Sequence, residues 1–155
     1  MSTPAEAATT LVFVCTSNTC RSPMAEALAK QWIKECHPRA PSIKVTSMAL
    51  SDEYEPPGSP ASAHAVTAMR RRGLDLTSHR SQLVNDALIA QADIIVCVTA
   101  KHEQLLRERY PTTDVPIHVF PQDIPDPWHQ SAAEYEACAM QLHEGIGTLL
   151  PLLNF

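Results

Sequence analysis

Short continuous runs of apolar residues alternate along the chain with longer stretches in which apolar positions recur at helical spacing. The continuous runs predict strands that are buried on both faces, as in a parallel sheet covered by helices. Four strands are predicted, at residues 11–14, 43–48, 92–99 and 117–120. Five helices are predicted, at residues 22–35, 62–72, 83–91, 100–110 and 131–150. This order predicts an α/β three-layer sandwich, in which a four-stranded parallel sheet carries helices on both faces.

Residues with strong helix-end preferences place several boundaries. Ser22 is predicted to cap the first helix, with Pro23 at its first position. Gly73 is predicted to end the second helix, because glycine readily adopts the left-handed conformation that often follows a helix. Pro151 is predicted to end the last helix, since proline has no backbone N–H to donate.

The chain of 155 residues has the length of one α/β domain with a full core. We expect residues 1–9 to be a disordered lead-in and residues 10–155 to form a single domain. No run approaches the roughly 20 apolar residues that a membrane span needs, so we expect no membrane partner. The first residues also lack the basic and apolar pattern of a secretory signal.

Charge and cysteine content narrow the function classes further. The net charge of −5 disfavours a nucleic-acid-binding surface, but it is compatible with a local positive site for an anionic substrate. Five cysteines are an odd number, and their spacing suggests no disulfide framework. A reducing compartment fits this pattern best. We therefore expect a cytoplasmic protein. We also expect a monomer, although no sequence feature decides the oligomeric state.

Cys15 directly follows the first predicted strand, and residues 15–22, "CTSNTCRS", must turn the chain into the first helix. We call these residues the Cys15 loop. Their backbone N–H groups can converge on one point at the helix N-terminus, which is a favourable place for an anion. Arg21 can return a planar fork of donors that matches phosphate oxygens. The same positive field favours the thiolate form of Cys15, so a bound phosphoryl group would face a nucleophile.

Two polar residues of the Cys15 loop have predicted supporting roles. Asn18 tolerates a left-handed conformation and can hold the loop through side-chain hydrogen bonds. The Ser22 hydroxyl can donate to the Cys15 sulfur. The alternative interpretation of Cys15 is a buried cysteine packed in a strand-to-helix turn, and the residue pattern alone leaves both interpretations open.

The segment "VFVCTSNTCRSPMAEAL" resembles the phosphate-binding loop of the low-molecular-weight protein tyrosine phosphatase family. Three further segments fall in the family's order and spacing, namely "TSHRSQLV", "ADIIVCVTAKHEQLL" and "DPW". The resemblance implies a flavodoxin-like fold of the phosphotyrosine protein phosphatase I type. Two departures are Ser17, where the family usually has glycine, and "SMAL" at residues 47–50, which replaces a common Ser-Ala-Gly. Serine at position 17 must accept the backbone geometry of the loop.

The resemblance also implies a chemical role for each residue of the site. Cys15 attacks phosphorus and forms a cysteinyl-phosphate. Asp126, in "IPDPW", protonates the leaving group and then accepts a proton from the attacking water. The phosphate is bound by Arg21 and the rest of the loop, that is by Thr16, Ser17, Asn18, Thr19, Cys20 and Ser22. The implied substrates are phosphorylated proteins, and no metal or cofactor is needed.

Two of these assignments have simpler alternatives. Asp126 precedes a proline, and Asp-Pro pairs are common in turns, while Asp123 is the nearest competitor for the acid role. Cys20 is a candidate redox partner that would trap an oxidised Cys15 as a disulfide. The alternative for Cys20 is a small packed side chain. His79 resembles a family position that supports the loop.

Thr19 bears on which phosphorylated residue is the substrate. The tyrosine phosphatases of the family commonly carry isoleucine or another apolar residue at this place, whereas "CTxNTCRSPMAEAL" resembles the bacterial subgroup that removes phosphate from arginine. The threonine hydroxyl narrows the pocket and can bind the N–H groups of a guanidinium. Trp128 is predicted to form an aromatic wall that stacks on a phenol ring or on a guanidinium. We therefore favour phosphoarginine and keep phosphotyrosine as the alternative.

Two hypotheses from other classes compete with a phosphatase. A thiol-dependent arsenate reductase would need two further cysteines close together on a mobile segment, but residues 78–91 contain none and Cys97 falls in a predicted strand. A catalytically inactive module that binds phosphoproteins is disfavoured because Cys15, Arg21 and Asp126 are all present.

Overall fold

Four parallel strands lie in the order β2-β1-β3-β4 in the computed structural model, which describes residues 9–37 and 43–153. The strands are β1 (Thr9–Cys15), β2 (Ile43–Ala49), β3 (Ile94–Cys97) and β4 (Ile117–Val119). The helices are α1 (Arg21–Cys36), α2 (Ala63–Arg70), α3 (Asp86–Gln91), α4 (Ala100–Arg109) and α5 (Ala132–Leu149), and the 3-10 turn Leu150–Leu152 follows α5. The predicted α/β class, with a four-stranded parallel sheet, is confirmed.

Alternate residues of β1 face opposite sides of the sheet. Leu11 and Phe13 belong to a core cluster that includes residues of α1, α2 and α5. Val12 and Val14 belong to a second cluster, which includes residues of α3 and α4. These four side chains are buried. Helices therefore cover both faces of the sheet, which is why the strand reads as a continuous apolar run.

The segments that follow β1, β3 and β4 lie side by side at the carboxyl edge of the sheet. The backbone N–H of Val98 donates to the carbonyl of Val14 at 3.1 Å, and the N–H of Ile124 donates to the carbonyl of Val98 at 3.0 Å. These bonds place the Cys15 loop beside residues 121–130, "PQDIPDPWHQ", which we call the proline-bounded loop.

The start of α1 differs from the prediction. The helix begins at Arg21, its N-cap position is Cys20, and no side chain caps it. Ser22 is therefore not the cap, because its hydroxyl lies 3.0 Å from the sulfur of Cys15 instead. Pro23 occupies the third position of the helix, where a missing N–H is still harmless.

The start of α3 was also placed too early. The helix begins at Asp86 rather than at residue 83, because the Asn85 side chain caps it by accepting a backbone N–H at 2.9 Å. Leu83 instead forms an isolated parallel bridge with Ala49.

Three other boundaries shift by a few residues. The strand predicted at residues 92–99 is limited to β3, and Thr99 caps α4. The helix predicted to end at Gly73 ends at Arg70, and Gly73 follows in a left-handed conformation with φ of 78°. Pro151 lies inside the 3-10 turn that follows α5.

The predicted disorder of residues 1–9 is wrong for Thr9, which belongs to β1, and residues 1–8 lie outside the described residues. The extent of the domain, residues 10–155, stays a prediction. Within the described parts of the chain, no helix combines the length and the apolar character that crossing a bilayer requires.

Candidate active site

Cys15 lies at the end of β1, and its sulfur faces the first turn of α1. The sulfur is 3.4 Å from the backbone nitrogen of Ser22 and 3.0 Å from the Ser22 hydroxyl. The residue lines a cavity of about 320 Å³. The unpaired N–H groups of the α1 N-terminus give this end of the helix a partial positive charge. An anion in the cavity would therefore lie next to both the sulfur and the helix terminus.

Asn18 holds the Cys15 loop in its turned conformation. Its backbone is left-handed, with φ of 60°, as predicted. The Asn18 side-chain nitrogen donates to the hydroxyls of Ser22 and Ser47, each at 2.8 Å. Its side-chain oxygen accepts from the backbone of Gln82 at 3.0 Å, and its carbonyl accepts from Nε2 of His79 at 2.7 Å. The side chain is fully buried, so these bonds replace the water that it has lost.

The hydrogen bonds of Asn18 fix the direction of the Ser22 hydroxyl. A hydroxyl has one proton to donate, and the Ser22 oxygen already accepts from Asn18. The Ser22 proton is therefore free to point at the Cys15 sulfur, 3.0 Å away. The sulfur then receives two donors from Ser22, its hydroxyl and its backbone N–H. Donors of this kind favour the anionic form of a sulfur atom.

The same hydrogen-bond chain continues to the surface of α1. Ser47 accepts from Asn18 and donates to Oε1 of Glu26 at 2.7 Å. The other oxygen of Glu26 accepts from Lys30 at 2.8 Å. An unbroken series of hydrogen bonds thus joins an exposed lysine to the buried Cys15.

Arg21 connects the Cys15 loop to the proline-bounded loop. One terminal nitrogen of its buried guanidinium donates to the carbonyl of Ile124 at 2.9 Å. The other lies 3.4 Å from the Thr16 hydroxyl and 3.5 Å from a carboxylate oxygen of Asp126. The Asp126 side chain is 45 % exposed. The cation is therefore fixed on the inner side of the cavity, and the carboxylate stands at its mouth.

His102 closes the network on the side of α4. Its Nε2 lies 2.9 Å from the Thr16 hydroxyl, and its Nδ1 lies 2.6 Å from the Thr99 hydroxyl. Burial lowers the pKa of His102 to about 4, and the nearby Arg21 cation lowers it in the same direction. The imidazole is therefore neutral at neutral pH.

Two aromatic side chains form the outer wall of the cavity. The rings of Tyr54 and Trp128 meet edge to face, with their centroids 5.5 Å apart. Thr19, which is buried, lines the same cavity. The cavity thus has a cationic floor, a carboxylate at its mouth and an aromatic rim.

Comparisons with known proteins agree with this geometry. Residues 10–154 match the family model described as low molecular weight phosphotyrosine protein phosphatase. The chain belongs to this family. It is a cysteine-dependent protein phosphatase.

Two curated relatives cover nearly all of this phosphatase. The protein-arginine-phosphatase of Geobacillus stearothermophilus is 30 % identical over 93 % of this chain and 95 % of its own length. The probable low molecular weight protein-tyrosine-phosphatase EpsP of Ralstonia nicotianae is 28 % identical over 94 % of this chain and 96 % of its own.

A solved structure confirms the fold of the phosphatase. The Wzb protein of Vibrio vulnificus, determined in complex with benzylphosphonate, is 25 % identical and superposes with a TM-score of 0.83. The match covers 94 % of this chain and 99 % of that one.

Most of the residues that the sequence predicted for the site meet at one cavity of the phosphatase. The cavity is lined by Cys15, Thr16, Ser17, Thr19, Cys20, Arg21, Asp126 and Trp128. Asn18 and Ser22 lie behind this wall and support it. Ser17 needs no left-handed backbone, because Asn18 and His129 are the non-glycine residues with positive φ in the described ranges. The departure from glycine at position 17 is therefore accommodated without strain.

Three residues of the site were not predicted to belong to it. Tyr54 lies in a loop whose residues indicate only turns, so its sequence carried no signal for the cavity. His102 was quoted within a family segment, but no role was assigned to it. Ser47 was noted only as part of a departure from the family pattern, although it bonds Asn18 directly. Each of these side chains reaches the site through the tertiary fold rather than through a local motif.

Cys20 lies in a small polar cluster beside the cavity. Its sulfur is 3.3 Å from the hydroxyls of Ser62 and Tyr135, and those two hydroxyls are 3.2 Å apart. Burial raises the pKa of the Cys20 thiol and also that of the Tyr135 phenol. Both groups therefore stay protonated at neutral pH. The redox role of Cys20 stays a prediction.

Proposed function

We propose that Cys15 is the nucleophile of this phosphatase, Arg21 its phosphate clamp and Asp126 its general acid and base. The observation that carries the proposal is that these three side chains line one cavity. Two donors on the Cys15 sulfur and the α1 N-terminus favour its thiolate form. Arg21 keeps one terminal nitrogen on the carbonyl of Ile124, and the other makes only long contacts, 3.4 Å to Thr16 and 3.5 Å to Asp126, so it can also donate to phosphate oxygens.

The reaction proceeds in two balanced steps. The Cys15 thiolate attacks phosphorus, the bond from phosphorus to the leaving atom breaks, and Asp126 gives its proton to that atom. Water then attacks the cysteinyl-phosphate, Asp126 takes a proton from the water, and the sulfur leaves as a thiolate. Arg21 and the loop N–H groups stabilise the equatorial oxygens in both transition states.

The nucleophile is tested with p-nitrophenyl phosphate and a matched pair of variants. Cys15→Ser should fall to the background rate, whereas Cys36→Ser, at the exposed end of α1, should keep wild-type turnover. Acid-quenched wild type should carry phosphate on Cys15 by mass spectrometry. Normal turnover in Cys15→Ser would exclude the assignment.

For the substrate, the proposal is a phosphorylated arginine side chain. Support comes first from Thr19, a buried polar residue in the cavity wall. Its hydroxyl has only a weak contact, 3.8 Å from the Cys20 sulfur, so it is available to a guanidinium N–H. Further support comes from the partly exposed Asp126 carboxylate, a natural partner for a guanidinium, and from the relative named as an arginine phosphatase.

The aromatic rim supports phosphotyrosine as the second candidate. Tyr54 and Trp128 present flat apolar surfaces on which a phenol ring can pack, and a relative is named as a probable tyrosine phosphatase. A guanidinium stacks on the same surfaces, so the rim does not decide between the two substrates.

The decisive experiment measures kcat/KM on matched phosphoarginine and phosphotyrosine peptides. Wild type should prefer phosphoarginine, and Thr19→Ile should lose that activity while keeping or gaining activity on phosphotyrosine. Thr148→Ile, on the exposed side of α5, is the control and should leave the preference unchanged. An unmoved preference in Thr19→Ile would remove Thr19 from the specificity argument.

The arsenate reductase alternative is disfavoured by the other buried thiols. Cys97 lies in β3 and Cys138 in α5, and burial raises the pKa of each to about 12. Thiols in this state are poor nucleophiles. Arsenate-dependent oxidation of thiols in the purified protein would revive the alternative. The cytoplasmic location and the monomeric state stay predictions.

A further inference from the structure

His102 is a buried titratable side chain that the mechanism above does not use. It lies in the first turn of α4, only 6 % exposed, between a residue of the Cys15 loop and the residue that caps α4. Both ring nitrogens are within hydrogen-bond distance of a threonine hydroxyl, Thr16 on one side and Thr99 on the other. Both nitrogens are thus paired, as burial requires, and one of the partners, Thr16, lines the cavity.

The protons around His102 allow two arrangements. A neutral imidazole has one N–H and one acceptor nitrogen, and each threonine hydroxyl has one proton to donate. In the first arrangement, Thr99 donates to Nδ1 and the Nε2–H donates to Thr16. In the second, Thr16 donates to Nε2 and the Nδ1–H donates to Thr99.

The two arrangements differ at the cavity wall. In the first, the Thr16 oxygen accepts from His102 and from Arg21, at 2.9 and 3.4 Å, and its own proton is free. Thr16 lines the cavity, so this proton can be donated to a bound oxyanion. In the second, the Thr16 proton is used by the imidazole, and only lone pairs remain to face the anion. An anion site therefore favours the first arrangement.

We propose that His102 is a positioning residue, which donates from Nε2 to Thr16 and so turns the Thr16 hydroxyl towards the phosphoryl group. The same hydrogen bond fixes the Thr16 hydroxyl oxygen that Arg21 contacts at 3.4 Å. The inference rests on the proposed function of the Cys15 loop, and it adds Thr16 to the groups that bind phosphate through a side chain.

The charged neighbours keep this arrangement constant at working pH. The Arg21 cation disfavours a charged imidazole, while the carboxylates of Asp123 and Asp126 favour it. Burial outweighs the carboxylates, so the ring stays neutral and keeps a single N–H.

The first test reads the tautomer directly in the wild-type protein. Nitrogen-15 NMR of the imidazole, with inorganic phosphate and without it, should find the proton of His102 on Nε2. A proton on Nδ1 in the phosphate complex would overturn the proposal. This measurement needs neither turnover nor a variant at His102, so it is independent of whether Cys15 is the nucleophile.

The second test is a double-mutant cycle between His102 and Thr16. Thr16→Val removes the acceptor and the donor with little change in shape, and His102→Leu removes the positioning bond. Each should lower kcat/KM on an aryl phosphate about tenfold to 100-fold and weaken inhibition by vanadate. The double variant should be little worse than either single one, because both changes remove the same interaction. Additive losses would show that His102 acts independently of Thr16 and would overturn the proposal.

Conservative variants distinguish positioning from packing. His102→Gln keeps a side-chain N–H, and Thr16→Ser keeps a hydroxyl, so both should retain most of the activity and of the vanadate affinity. His143→Gln, on the exposed side of α5, is the control for changing a histidine. Should His102→Leu fail to fold, the tautomer and the comparison of Thr16→Val with Thr16→Ser decide the matter. Equal activity in those two Thr16 variants would contradict a role for the hydroxyl.

Discussion

The Cys15 loop and the proline-bounded loop carry the residues that we propose for the two halves of the chemistry, yet they are held in opposite ways. In the Cys15 loop the side chains of Asn18 and Ser22 are fully buried, and Asn18 has partners from several elements. In the proline-bounded loop the Asp126 side chain is 45 % exposed, and its hydrogen bond from the Trp128 backbone, 3.1 Å long, stays within the loop. The bond from Arg21 to the Ile124 carbonyl joins the two loops.

This difference matches the role that we propose for each loop. An anion site works best when its donors are fixed before the anion arrives, because no energy is then spent on reorientation during the reaction. A general acid must instead reach leaving groups of different shape and exchange its proton with water. The buried loop therefore suits the transition-state charge, and the exposed loop suits proton transfer.

Breaking the link between the loops should have the largest effect. Arg21→Lys removes the planar fork and the donor to Ile124 but keeps the positive charge. We expect kcat/KM to fall about 1000-fold. Phosphate loses a bidentate partner, and the Asp126 carboxylate loses the Arg21 contact that holds it in position. Steady-state kinetics on an aryl phosphate measures this fall in kcat/KM. Arg71→Lys, in an exposed pair with Glu136, should change nothing, and equal losses in both variants would contradict the role of Arg21.

Loosening the Cys15 loop should have the next largest effect. Asn18→Ala leaves the backbone N–H of Gln82 and two hydroxyls without their partner, and it forces alanine to adopt φ of 60°. We expect a loss of about 3 kcal/mol in the free energy of unfolding. Urea denaturation gives the value.

The control for Asn18 is another asparagine that caps a helix. Asn85→Ala removes one exposed capping bond at the start of α3 and should cost about 1 kcal/mol. Activity should fall only in Asn18→Ala. A similar cost in both variants would mean that the Asn18 network contributes little to stability.

Replacing the proposed acid alters the proline-bounded loop and its ion pair with Arg21. Asp126→Asn should slow the turnover of phosphate esters with poor leaving groups about 100-fold and that of good ones far less, because good leaving groups need no proton. A plot of log kcat/KM against leaving-group pKa gives the result. Asp123→Asn is the matched control, since Asp123 accepts from the Ala100 backbone at 2.9 Å and should leave the slope unchanged. The opposite outcome for the two variants would move the acid role to Asp123.

The smallest expected effect concerns His102, where the two loops meet α4. Its pKa is about 4 in the folded protein and near 6.5 when unfolded, so between these values only the unfolded chain binds the proton. Stability is therefore lost as pH falls through this window. Between about pH 7 and about pH 5, wild type should lose about 2 kcal/mol more than His102→Gln. Urea denaturation at several pH values checks this, and parallel curves would mean that His102 is protonated alike in both states.

The turn of the Cys15 loop and the grouping of its side chains at one cavity could be predicted, because these residues follow one another in the sequence. Cys15, Asn18 and Arg21 act within one strand-to-helix turn, so local chemistry and spacing indicate their roles. Of the two interactions predicted for Ser22, the cap of α1 is wrong and the contact with the Cys15 sulfur is present. A serine at a helix start can cap the helix or bond elsewhere, and it is the fold that brings Asn18 and the sulfur to this hydroxyl.

The parts of the site that were missed come from distant segments. Tyr54 follows β2 and His102 opens α4, and neither has a local pattern that distinguishes it from an ordinary loop or helix residue. Parallel strands bring these segments to one edge of the sheet, but sequence alone does not say which side chain turns inward. The early start predicted for α3 has a similar cause, because Leu83 pairs with Ala49 through a tertiary contact.

A chain of hydrogen bonds runs from Lys30 through Glu26 and Ser47 to Asn18, so the Cys15 loop is connected to a surface residue that lies outside the cavity. Its outer end is in solvent, and Lys30 is not among the residues that line the cavity of Cys15, so a substitution there should reach the hydrogen bonds around the sulfur without altering the surface that a substrate meets.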